Sequence, residues 1–205
     1  MIILTTWRTD EKEYSEKGNL KLSKEEVIRS LVDLNADELR LHFKKHTKIR
    51  QRSSKNGRWV EDDLDTTDTA FLTTIIEEDL RPVLSGREVW DVIAKLLKIG
   101  IVVYAPFDII DYKSEDFRKL FNRVKPVIND LDPMGLMSMA PEDEYSDEIG
   151  RIVGLLTVAK ELVGENLRND DLAYIISGVF SNRAVISDED RAKCATAMLK
   201  FLQEL

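Results

Sequence analysis

Chemistry in a protein needs a nucleophile, a proton-transfer group, a metal-ligand set or a phosphate cradle, and few residues of this sequence qualify. It has two histidines, His42 and His46, and one cysteine, Cys194. A spacing of four places both histidines on one face of a helix, and equally on one face of a strand, so the pair is compatible with a shared metal. No Glu follows in the H-E-x-x-H manner, and Lys44, Lys45 and Lys48 around them repel a cation. Solvated polar positions are the plainer reading. Cys194 sits between Lys193 and Ala195 in a helical segment with no histidine near it in sequence, the setting of a buried structural thiol. One cysteine excludes an internal disulfide and a multi-thiolate metal site. The sequence holds no GxxxxGK[ST], GxGxxG or GxSxG, so neither a phosphate cradle nor a nucleophile elbow has support. Nor is there a Glu-x-Lys of the restriction-nuclease kind. Adjacent carboxylates such as Asp62/Asp63 and Glu77/Glu78 are common on solvated faces. The expectation is no catalytic residue, no cofactor and no metal: the protein is not read as an enzyme.

The strongest chemical signal in the first half is charge. The 205 residues carry 30 Lys/Arg against 38 Asp/Glu, a net charge of −8, but the distribution is uneven. Residues 1–60 are net +5 and residues 61–205 net −13. Between Arg40 and Arg58 lie eight cations (Arg40, Lys44, Lys45, Lys48, Arg50, Arg52, Lys55, Arg58) and no acid, with Phe43 and Trp59 interleaved. Such a run can track a phosphate backbone while an aromatic ring stacks a base. The acidic stretch that follows, Glu61-Asp62-Asp63-Leu64-Asp65, can instead neutralise it. A sequence pI near 5.0 argues against tight non-specific nucleic-acid binding.

The elements that must position these residues divide into two halves. Met1–Trp7 is β-branched and strand-like, and Ser23-Lys24-Glu25-Glu26 is a capping box that opens a helix over 24–34. Leu39, Leu41 and Phe43 alternate with Arg40, His42 and Lys44, which predicts a strand, although 36–47 also fits a helix. With Asn56-Gly57 as a tight turn, strands over 38–52 and 58–61 make a hairpin. A helical pattern runs from Asp68 to Pro82. A second capping box, Ser85…Glu88, opens a helix over 88–99 with Val89, Val92, Ile93, Leu96 and Leu97 as its apolar stripe. Ile101–Ala105 reads as a buried strand. A boundary near Asp111–Ser114 then separates an α+β module, 1–112, from an all-α module, 113–205.

In the second half Phe117, Leu120, Phe121, Val124, Ile128 and Leu131 keep a 3.6-residue rhythm. Further helices follow around Tyr145–Leu156, Leu172–Val179 with Asp170 as N-cap, and Ala195–Leu202 behind a Ser187 cap. Four short amphipathic helices make a bundle, and the fold class expected for the whole chain is α+β. No stretch has the roughly 20 apolar residues of a membrane span and no signal peptide is evident, so a soluble, cytoplasmic protein is expected.

The run Val127–Leu136 (VINDLDPMGL), followed by Ala140-Pro141-Glu142-Asp143-Glu144-Tyr145, is more distinctive than periodicity. It resembles the small helical domain of uncharacterised bacterial proteins of the YugE type, in which a helix ends in N-x-W-D-P-x-G-L and P-x-D-E-Y opens the next. Leu131 stands where that family carries Trp, and Ser146 where it carries Asp. The resemblance covers about 117–205 and implies a helical fold and a bacterial or phage origin, with a loose association to immunity proteins of toxin systems. From the residues themselves, Asp132 before Pro133 is placed to cap a turn, and Tyr145 to bury its ring while its hydroxyl finds a partner. A structural junction is the plain reading. The functional one is a protein-partner site: Met134, Met137, Met139 and Tyr145 as apolar anchors, and Glu142, Asp143, Glu144, Asp147 and Glu148 facing a basic target. The function expected is a non-enzymatic interaction protein, of the kind of an immunity or antitoxin-like inhibitor that blocks a toxin. The alternative is a nucleic-acid-binding regulator using Arg40, Lys44, Lys48, Arg50, Arg52, Lys55, Arg58 and Trp59.

Overall fold

The computed structural model describes residues 3–7, 23–52, 59–63, 80–99, 113–139, 143–181, 184 and 186–202, with side chains placed for all but 3–7, 44–52 and 59–63. Among the described residues seven α-helices carry the structure. They are α1 (Lys24–Ser30), α2 (Ala36–His46), α3 (Gly86–Lys98), α4 (Glu115–Leu131), α5 (Ser146–Val163), α6 (Asn169–Phe180) and α7 (Asp188–Leu202). The α+β expectation is corrected: where side chains are described, the core is carried by helices and the turns beside them. Among the described residues the strands are β1 (Ile3–Trp7), β2 (Thr47–Arg52) and β3 (Trp59–Asp63), aligned antiparallel in the order β1-β2-β3.

The expected strand over 38–52 is corrected in the same way, because 38–46 belongs to α2. A period of two at Leu39, Leu41 and Phe43 contains an i, i+4 pair, and the helix uses that pair. Leu39 and Phe43 are buried, whereas Leu41 is 62% exposed. Asn35 caps this helix with a reciprocal bond to Glu38, each side chain accepting the other's backbone N–H at 3.0 and 2.9 Å. That box was not read from the sequence, and it tips 36–46 toward helix. The Asn56-Gly57 turn, the helical pattern from Asp68 up to residue 79 and the apolar run Ile101–Ala105 lie outside the described residues. So does half of the boundary expected at Asp111–Ser114.

The chain divides into two compact units, Met1–Val92 and Ile93–Leu205. In the first, Ser23 and Glu26 form the expected capping box, with the Glu26 carboxylate accepting from the Ser23 N–H at 2.7 Å. The α1 helix ends at Ser30, shorter than expected, and a turn carries Leu31 into the core. Ser85 and Glu88 make a second box, which opens α3.

In the second unit α4 packs on α5 and α7, and α6 on α5 and α7, closing a four-helix ring. The α5 helix is buried almost all round, from Ile149 to Ala159, as a helix surrounded by partners must be. Arg191 donates to Ser177 Oγ at 2.8 Å and pairs with Asp188, tying α6 to α7, and Arg123 donates to the Phe201 carbonyl at 3.1 Å, tying α4 to α7. Asp170 is not the N-cap of α6. The cap is Arg168, whose N–H donates to the buried Asp171 carboxylate at 2.9 Å.

Candidate functional site: the connector between α4 and α5

The chain leaves α4 through Asp132, the one described residue other than glycine with positive φ (44°). A left-handed residue with a Cβ costs about 1 kcal/mol, and local hydrogen bonding by an Asp side chain offsets it. Here Asp132 Oδ1 accepts from the N–H groups of Leu136 at 2.8 Å and Met137 at 3.2 Å, and its carbonyl accepts from Gly135 at 3.0 Å. Gly135 supplies the second left-handed position, φ 66°, that closes the turn.

The other end of the connector reaches back to the same carboxylate. Tyr145, the N-cap of α5, donates its hydroxyl to Asp132 Oδ1 at 2.6 Å and accepts the Met134 N–H at 3.1 Å. Its ring is fully buried and meets Phe180 edge-on, with centroids 6.1 Å apart. The Tyr145 hydroxyl, followed by the backbone donors, holds the Asp132 carboxyl below its ordinary value. Burial, and then the Asp132 contact, raises the Tyr145 phenol. Asp132 and Tyr145, thirteen residues apart, therefore latch the two ends of the connector together. This latch is the physical content of the Asp-Pro-x-Gly-Leu and Glu-Tyr pattern: the Asp caps and holds, the Gly bends, and the Tyr locks.

With both ends held, the middle stands out. Met139 is 82% exposed, and Asp143, Glu144 and Asp147 are exposed at the mouth of α5. Negative charge there meets the positive end of the helix dipole. Met134 and Met137 are half-buried. Of the residues expected to face a partner, Tyr145 and Glu148 are buried, 0% and 2% exposed, the first as the expected burial of the Tyr145 ring requires. Glu142 lies outside the described residues.

The other candidates stay dispersed. Cys194 is buried, and desolvation followed by the charges of Asp190 and Asp130 raises its thiol, which keeps it protonated and inert. His42 is half-buried beside Phe43, its ring edge-on at 5.7 Å, and His46 ends α2. Among the described residues no three His, Cys, Asp or Glu side chains are grouped to hold a metal ion, and no helix is long and apolar enough to cross a membrane.

The basic run does not lie on one strand surface. Arg40, paired with Asp37 at 3.3 Å, and Lys44 belong to α2, while Lys48, Arg50 and Arg52 belong to β2 and Trp59 opens β3. Lys55 and Arg58 lie outside the described residues. The register sets the Lys48 position opposite Asp63 and the Arg50 position opposite Glu61. The two acidic positions of β3 thus fall in register with two basic positions of β2.

Sequence reasoning named both Asp132 and Tyr145 but not their bond, because nothing in the spacing says that two ends of a connector meet. Compared with protein-family models, with curated proteins and with solved structures, the chain matches none.

Proposed function

We propose that this chain is a non-enzymatic bacterial interaction protein that docks a basic protein partner on the connector between α4 and α5, in the manner of a cytoplasmic immunity-type inhibitor covering a toxin surface. The observation that carries the reading is the latched connector. A loop held at both ends loses little further freedom on binding, and this one offers Met139 as an apolar contact beside the exposed acids Asp143, Glu144 and Asp147. Acidic charge around an adaptable thioether suits a basic protein surface, speeding encounter and fixing orientation. The nucleic-acid alternative has less behind it, since acidic positions oppose basic ones along β2 and β3.

The test is affinity capture from the native host with wild-type chain and with an Asp143→Lys/Glu144→Lys variant, at low and high salt and after nuclease. The expected result is one stoichiometric protein that survives nuclease, weakens with salt, is lost by the variant, and has an activity that added chain suppresses. A partner that the variant holds equally well removes the acidic docking site. Recovery of nucleic acid that vanishes with salt moves the function to the basic segment.

A further inference from the structure

The sequence has five methionines, three of them in the connector and a fourth, Met198, in the core of the four-helix ring. Their surroundings differ as much as surroundings can: Met139 is 82% exposed, Met134 and Met137 are half-buried, and Met198 is fully buried. Oxidation of a thioether requires the oxidant to reach sulfur, so reactivity follows exposure. We infer that Met139 is a peroxide-reactive modification site that changes the connector's surface without opening its fold. The sulfur lone pair attacks one peroxide oxygen, the O–O bond breaks, and the proton of the attacked oxygen passes to the departing hydroxide, which leaves as water. The sulfur loses two electrons to the peroxide and becomes a sulfoxide.

What separates this site from ordinary oxidative damage is where the latch lies. The bonds that hold the connector use Asp132 Oδ1, the Tyr145 hydroxyl and the N–H groups of Met134, Leu136 and Met137. Met139 contributes to the turn through its backbone N–H, donated to the Leu136 carbonyl at 2.9 Å, and its side chain makes none of the latch bonds. A polar oxygen on its sulfur therefore alters a highly exposed apolar side chain of the connector and leaves every latch bond intact. This conclusion stands whether or not the connector docks a partner. If it does, the sulfoxide sits in the contact.

The experiment treats the full chain with graded hydrogen peroxide, maps each methionine peptide by mass, and follows thermal unfolding of the same samples. Met139 is expected to oxidise at least about tenfold faster than Met198, with Met134 and Met137 between them, and the singly oxidised protein to melt as the untreated one does. Met139→Leu is expected to remove the fastest oxidation among these four residues and to melt normally. Equal rates at Met139 and Met198, or a melting temperature that falls in step with Met139 oxidation, would overturn the inference.

Discussion

Asp132 Oδ1 gathers a phenolic O–H and two backbone N–H donors on one oxygen, in a residue whose backbone is itself held left-handed. Removing the phenolic donor isolates one of these contributions. Tyr145→Phe keeps the ring against Phe180 but leaves the Met134 N–H without its acceptor and the carboxylate short of one donor. A hydrogen bond to a charged group contributes roughly 1.5–3 kcal/mol, so the variant is expected to lose about 2 kcal/mol in urea unfolding at pH 7. The pH dependence follows from the directions of the shifts. The Asp132 carboxyl sits below its unfolded value of about 3.9, so its stabilisation is present above that pH and is lost as pH falls through the lower folded value. The Tyr145 phenol is raised, so its contribution is whole below an unfolded value of about 10 and is lost as pH rises through the folded one. The gap between wild type and Tyr145→Phe should thus narrow in acid below about pH 4 and again in strong base. A gap constant from pH 7 to pH 2 would mean that Asp132 is not held by Tyr145.

Helix α2 shows how one apolar pattern serves two elements. On a strand Leu39, Leu41 and Phe43 would share a buried face; on the helix Leu39 and Phe43 stack while Leu41 points to water. Leu39→Ala is therefore expected to cost about 3 kcal/mol and Leu41→Ala less than about 0.5 kcal/mol, by denaturant midpoint. Comparable losses at the two positions would restore the strand. Helix α6 carries a sharper steric condition at Gly178. A Cβ there would lie 2.6 Å from Leu97 Cδ2 and 3.1 Å from Leu97 Cβ, too close without movement of that side chain. Gly178→Ala should destabilise by about 1–3 kcal/mol, and Leu97→Ala in the same chain should reduce the penalty that Gly178→Ala adds. Additive losses would show that Leu97 is not the obstacle.

Across the whole molecule the legible parts are those written in local sequence. Ser23, Ser85 and Ser187 were readable as helix starts because a cap needs only a side-chain oxygen three residues from an orphan N–H. Helix α4 was readable because it buries one face at its own period through Leu120, Val124 and Ile128. The net charge of −8 and the single cysteine are likewise properties of the chain alone. Three matters were decided only in three dimensions. The period-two run at Leu39–Phe43 fits strand and helix equally, and packing of the Leu39–Phe43 pair, with the Asn35–Glu38 cap, chose the helix. Glu148 read as partner-facing because an acidic helix start is normally solvated, yet it is buried, while the buried ring of Tyr145 was legible from its residue type. The Asp132–Tyr145 latch joins residues thirteen positions apart across a connector, and no local propensity encodes such a meeting. It exists because α4 and α5 pack side by side and bring the two ends of the connector within hydrogen-bond reach.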